Sequence, residues 1–231
     1  MSLTQTKQSL TKSNDSQEIA TLSPSIRPLS ANFVCSNVNS LRVKSWHDQK
    51  FRNSLNKLNP SMIRIPGGAE SNYWDWQKGG LIEDISNLPE GLPPFLAGKD
   101  RRYTASKLKD FQAGFKANDL TPVFVLNMLT SDLESQLKML QTARDLGMQV
   151  KYIELGNEFY FATKNYRKKF PRPEDYAKTA NQWIFVIKQE FPEAKIAVVG
   201  SGSRGKNRSS RRYKWNEKII ATTLPFADAI T

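Results

Sequence analysis

From about residue 31 onward, short apolar runs alternate with longer stretches whose apolar positions recur every three or four residues. That alternation predicts parallel βαβ units, because short buried strands read as continuous apolar runs while helices laid against them carry a stripe of period 3.6. The predicted strands are residues 31–39, 62–65, 121–127, 150–155, 195–200 and 227–231. The first helix is expected to begin at Ser45, read as an N-cap with Asp48 three residues on, and to carry a stripe of Phe51, Leu55 and Leu58. A second stripe is Leu108, Phe111 and Phe115, and a third is Leu133, Leu137 and Leu140, stopped by Gly147. Pro173, suited to a first helical turn, opens a helix with Tyr176, Ala180, Trp183 and Ile187 that ends before Pro192, and residues 213–222 make a last one.

Successive strand starts lie 29 to 59 residues apart, each enough for at least one crossover. The longest interval holds residues 66–103, a Pro- and Gly-containing loop of the length usually reserved for function. Two α/β architectures fit, an open doubly wound sheet and a (β/α)8 barrel of the TIM type, and periodicity does not separate them. No GxGxxG follows the first strand and no GxxxxGK[ST] occurs, so the phosphate-cradling turns of nucleotide-binding doubly wound folds are missing. Residues 200–205 (GSGSRG) read as a flexible βα turn rather than a phosphate loop.

Composition narrows the classes further. The Ser-, Thr- and Gln-rich residues 1–28 read as a disordered polar tail, leaving residues 29–231 as one partial barrel domain. The tail has no apolar block of signal-peptide type, which makes cytoplasmic the default location, and no run approaches the ~20 apolar residues of a membrane span. A lone Cys35 cannot form an internal disulfide or a cysteine zinc cluster, and is expected as a small buried hydrophobe. The single His47 rules out a multi-histidine metal site and is expected at the surface. No cofactor or metal is expected.

Candidate chemistry gathers behind two strands. The fourth strand runs into ELGNEFY, residues 154–160, which puts the carboxylate Glu158 and the amide Asn157 just beyond its C-terminal end, the active face in either architecture. Walled by Phe159, Tyr160 and Phe161, a partly desolvated acid there favours its protonated form and can donate a proton to a leaving oxygen. The alternative is that Glu158 caps the next segment or pairs with Lys164 or Arg167. After the second strand comes RIPGGAESNYWDW, residues 64–76, with a sharp Pro-Gly-Gly exit, the amide Asn72 and the rings of Tyr73, Trp74 and Trp76. Such rings suit the C–H faces of sugars, or serve equally as core for the long loop. Arg64 either holds a carboxylate in the site or is a core ion-pair member.

RIPGG, NYWDW and LGNE together resemble the clan of retaining glycoside hydrolases built on (β/α)8 barrels, nearest to the α-L-arabinofuranosidases and more distantly to the heparanase and β-glucuronidase group. The resemblance covers about residues 31–231 and implies a hydrolase acting on O-glycosyl bonds. It implies Glu158 as general acid/base, Asn157 as the amide on the sugar 2-hydroxyl, and Arg64 as the arginine that orients the nucleophile. Asn72, Trp74, Trp76 and Tyr160 join them as candidate sugar contacts. In that clan the nucleophilic glutamate closes the seventh strand, whereas this pattern reaches only about six; Glu70, Asp75 and Asp132 follow the second and third strands and do not match it. The expectation is therefore a truncated barrel with little or no turnover alone, or one half of a split enzyme whose exposed edges take a complementing C-terminal fragment. A non-catalytic carbohydrate-binding remnant is the alternative.

Charge adds a second theme. Of a net charge of +12, residues 164–172 contribute five basic and no acidic residues, and residues 204–218 contribute seven basic and one acidic. Both follow strand C-terminal ends, so a rim that attracts an anionic oligo- or polysaccharide is expected, with solvated loops as the plainer reading. Nucleic-acid binding through the same Tyr- and Trp-interleaved runs is a different-class alternative, without a recognised module around it.

Overall fold

The computed structural model describes residues 35–39, 42–97, 105–203, 205, 207–223 and 226–231. The expected tail over residues 1–28 and the first residues of the strand expected over 31–39 lie outside these. Among the described residues, six parallel strands form one sheet: β1 (Cys35–Asn37), β2 (Met62–Ile65), β5 (Thr121–Val125), β6 (Tyr152–Glu154), β7 (Lys195–Val198) and β8 (Ala229–Ile230). They pair in chain order with parallel register throughout, for example Arg64 with Val123 and Ile153 with Ile196. The sheet curls through 187°, half of a (β/α)8 barrel, which settles the choice between the two architectures. The outer edges of β1 and β8 have no partner strand among the described residues.

Helices cover the outside. They are α1 (Gln49–Leu58), α3 (Leu108–Asn118), α4 (Leu133–Asp145), α5 (Lys164–Lys169), α6 (Pro173–Glu190) and α7 (Trp215–Thr223), with a short α2 (Pro94–Ala97) in the long loop. Pro173 does open α6, where its missing N–H costs nothing, and Asp175 accepts a hydrogen bond from the Arg172 backbone N–H at 2.9 Å. Gly147 takes a left-handed φ of 82° just past α4. The core follows from these faces: Ile63, Phe124, Ile153 and Ile196 from the strands meet Phe111, Leu140, Tyr176 and Ile187 from the helices, all buried.

Three local expectations change. The N-cap of α1 is Asp48, whose carboxylate accepts from the Phe51 N–H at 2.8 Å, while Ser45 instead accepts from the His47 N–H. Leu58 shares the Leu55 face but ends the helix, where it is 67% exposed and nothing described covers it. Cys35 is exposed rather than buried, because β1 is an edge strand. His47 is at the surface as expected, 3.2 Å from Asp110.

The long second loop is organised rather than formless. It contains a 3-10 turn (Ala69–Tyr73) and a hairpin of β3 (Trp74–Asp75) and β4 (Gly80–Leu81). No helix among the described residues is long and apolar enough to cross a membrane.

The last crossover is secured by one carboxylate. Burial pushes the Asp228 carboxyl up, but the Ile196 N–H at 2.9 Å and the Lys188 and Lys195 ammoniums at 2.9 and 3.3 Å outweigh it and hold it below the ordinary aspartate value. A depressed folded value contributes stability that is fully present above the unfolded value and lost as pH falls through the folded one. Asp228→Asn is therefore expected to cost about 1 kcal/mol at neutral pH. In urea titrations the deficit should shrink as pH drops below about 4; a deficit independent of pH would count against this ion cluster.

Candidate active site

Beyond β6 the chain leaves the sheet through Leu155 and Gly156 and turns back over the barrel mouth. Tyr176 of α6 prepares this exit: its hydroxyl donates to the Leu155 carbonyl at 2.9 Å and accepts from the Val199 N–H at 2.8 Å. The phenol thereby joins β6 to β7 just past their last ladder rungs, and burial pushes its pKa upward so that it stays protonated. Gly156 then takes φ 88° with Phe159 directly beneath it, and Phe159 is fully buried among Tyr166, Phe170 and Tyr176.

Glu158 follows with φ 52°, a left-handed conformation that a residue with a Cβ seldom adopts. Of the four such non-glycine residues among those described, Asn59 and Asp119 are ordinary helix C-caps and Lys214 immediately precedes α7, whereas Glu158 stands at no helix end. The Glu158 carboxylate accepts from the Tyr160 hydroxyl at 3.1 Å and from the Asn157 amide at 3.2 Å. Burial and the neighbouring Glu158 charge push the Tyr160 phenol upward, keeping it a donor. Neither a cap nor a partnership with Lys164 or Arg167 is present.

Arg64 rises from β2 into the same space. Its Nε donates to Glu154 at 2.7 Å, and its terminal nitrogens reach the Asn157 side-chain oxygen at 3.0 Å, the Gly67 carbonyl at 2.8 Å and Asn37 at 3.2 Å. Of the two roles open to Arg64, it takes the one of holding a carboxylate at the cavity, that of Glu154, and not that of a core ion pair. Asn72, fully buried, ties the two loops together: its amide donates to the Asn157 carbonyl at 2.8 Å and to the Tyr166 hydroxyl at 2.9 Å, and its oxygen accepts from the Asn157 N–H at 3.2 Å. Together Asn37, Arg64, Glu154, Asn157, Glu158 and Tyr160 line a cavity of about 400 Å3.

The structure thus brings Glu158, Asn157, Arg64 and Tyr160 to one cavity and places Asn72 behind it as a brace. It does not bring the tryptophans there. Trp74 is buried against Phe111 with its rings 5.8 Å apart, and Trp76 donates from Nε1 to Ser135 at 3.1 Å. Glu154 was not singled out in the sequence, although it ends a strand on the active face, where an acid is a signal in itself. A larger cavity of about 730 Å3 lies on the same face, under the long loop and α5. Two of its acids, Asp75 and Asp132, are already spent on backbone N–H groups of their own turns.

The second basic run divides by role. Arg211 points inward, donating to the Phe159, Phe170 and Pro171 carbonyls at 2.8, 2.6 and 2.9 Å with its guanidinium over Trp215. Burial, with Arg167 nearby, pulls it down to about 10. It pins the loop immediately after Glu158.

The curled half-barrel sheet is shared with solved structures of glycoside hydrolases. An α-L-arabinofuranosidase from Thermotoga maritima, in its arabinose complex, superposes with a TM-score of 0.58 at 20% identity over 79% of this chain and 38% of that one. A family 51 α-L-arabinofuranosidase from Bifidobacterium longum gives 0.61 at 17% identity over 81% and 37%. The thermostable GH51 α-L-arabinofuranosidase from Thermotoga petrophila RKU-1 gives 0.57 at 18% over 81% and 39%. This chain spans less than two-fifths of their length, and at such identities the likeness is one of fold. No family model and no curated protein matches the sequence.

Proposed function

We propose that the Glu158 cavity binds an O-glycoside and presents the proton-donor half of a retaining glycosidase site. The observation that carries this is the left-handed Glu158, held between the Tyr160 hydroxyl and the Asn157 amide beyond β6, in a cavity it shares with Arg64. Glu158 gives a proton to the glycosidic oxygen as the bond to the sugar lengthens, and Tyr160 and Asn157 stabilise the carboxylate left behind. Asn157 lies next to that oxygen and is oriented by Arg64 on one side and Asn72 on the other, so it offers hydrogen bonds to a ring hydroxyl without adding charge.

Retention needs a second carboxylate ~5 to 5.5 Å away, free to attack the anomeric carbon. The second one in this cavity, Glu154, is already committed to Arg64 at 2.7 Å. These residues are therefore proposed to bind the glycoside without completing hydrolysis by themselves. The arabinofuranosidase likeness makes aryl α-L-arabinofuranosides the first probes. With selectively 13C-labelled glutamate, a binding glycoside should move the Glu158 carboxyl resonance, and Asn157→Ala should weaken binding about tenfold. A broad glycoside panel that never shifts that resonance would sink the proposal. Hydrolysis abolished by Glu158→Gln would refute its non-catalytic half.

A further inference from the structure

We infer that the Glu158 cavity continues into a subsite for an anionic sugar substituent, a carboxylate or a sulfate ester, held by Arg212 and Lys214. The inference rests on the glycoside reading above and names the class of glycan it takes. A second cavity of about 380 Å3, lined in part by Ser201, Ser203, Arg212, Lys214 and Glu217, adjoins the first, and Gly202 lines both. A Cβ at Gly202 would meet nothing within 4 Å, so the shared boundary is open space rather than packed chain.

Among the described residues, the fold uses the basic side chains near this boundary unequally. Arg211 is spent on three backbone carbonyls and Lys218 pairs with Glu174 at 3.2 Å. Arg212 has no carboxylate partner among the described residues. Its guanidinium lies over Phe161 and Tyr160, 4.5 and 5.0 Å from their centroids, and one nitrogen donates to Ser203 at 3.2 Å. Stacking fixes the plane of the fork and leaves its other N–H groups to meet a planar carboxylate or a sulfate two at a time. Tyr160, the lower ring of that stack, is the donor to Glu158. A substituent on Arg212 is therefore one side chain away from the proton donor.

Lys214 supplies the second charge from a strained backbone. Its φ of 55° is left-handed at the residue just before α7, where its carbonyl accepts the Lys218 N–H, and its ammonium pairs with Glu217 at 3.8 Å. Two residues in an unfavourable conformation, Glu158 and Lys214, thus line two adjoining cavities. Such conformations persist only where surrounding structure over-determines them, and they cluster at ligand sites. The same geometry weakens the nucleic-acid reading. Tyr166 and Trp215 of the basic runs are buried, and the faces of Tyr160 and Phe161 lie under Arg212, which leaves the half-buried Tyr213 as the ring of those runs that a base could meet.

The test is calorimetry on the full chain with a matched set of probes. These are a tetrasaccharide carrying one glucuronate, the same compound with that carboxyl reduced to the alcohol, a singly sulfated counterpart, and a 12-nucleotide single strand. At least one anionic tetrasaccharide should bind roughly tenfold or more tighter than the neutral one, and which one does so identifies the substituent. The ratio should fall to about one in the Arg212→Gln, Lys214→Gln double variant and shrink without vanishing in Arg212→Lys, which keeps the charge and loses the fork. Equal binding of charged and neutral compounds, or a preference unchanged in the glutamine variant, overturns the subsite. If the neutral compound still moves the Glu158 carboxyl resonance, the glycoside reading survives that failure; if no glycan binds, both fall. Oligonucleotide binding tighter than any glycan, with a steep salt dependence, overturns it in favour of a phosphate-backbone site.

Discussion

Gly156→Ala is expected to destabilise the protein by about 3 to 5 kcal/mol, lowering Tm by roughly 10 °C for a chain of this size. Two costs combine. A Cβ in the left-handed region costs about 1 kcal/mol, and here it would also sit 2.1 Å from the edge of the Phe159 ring. That ring cannot retreat, because Tyr166, Phe170 and Tyr176 surround it with centroids 4.9 to 5.4 Å away. Gly147→Ala is the matched control: its φ of 82° is similar, and nothing lies within 4 Å of the new methyl. It should lose only about 1 kcal/mol. Equal losses in the two variants by denaturant titration would mean that Phe159 does not support the Glu158 loop.

Asn72→Ala should cost about 3 kcal/mol and, more tellingly, should expose the Asn157 amide to exchange. The side chain holds the Asn157 N–H, the Asn157 carbonyl and the Tyr166 hydroxyl, all in buried surroundings. Removing it leaves a donor and an acceptor without partners, at about 1 to 3 kcal/mol each. Hydrogen exchange at Asn157 should accelerate at least tenfold while the Ile153 amide in the sheet keeps its protection relative to global stability. An Asn157 amide as protected as before would show that the loop is braced by something else.

The barrel-type order of strands was legible because the buried strands and amphipathic stripes repeat along the chain, and the extra residues between the second and third sheet strands announced themselves by length. Glu158 and Asn157 were legible for a related reason. A polar pair directly after an apolar strand stands on the active face whatever the surrounding detail. Partnership was not legible. Arg64 and Glu154 lie 90 residues apart, and only the stagger of neighbouring strands decides that one reaches the other rather than a residue one rung away. The tryptophans show the limit of composition: the β3–β4 hairpin folds Trp74 inward onto Phe111, and the Lys-Gly-Gly at its turn is a hairpin signal that the aromatic cluster overshadowed. The basic run after β7 likewise read as uniform charge. Adjacent arginines in it have opposite roles, Arg211 binding backbone and Arg212 facing the cavity, because side chains one residue apart leave an irregular segment in different directions.

The Tyr176 hydroxyl, lodged between the Leu155 carbonyl and the Val199 N–H, separates a part of the chain held by backbone pairing from a part held by side chains. Below it the two strands gain one more cross-strand link beyond their last ladder rung. Above it the Glu158 loop is carried by side chains in place of a ladder, namely the Asn72 amide, the Arg211 guanidinium and the buried Phe159 ring. Substitutions in the long loop or in the segment after β7 therefore reach Glu158 without disturbing a strand.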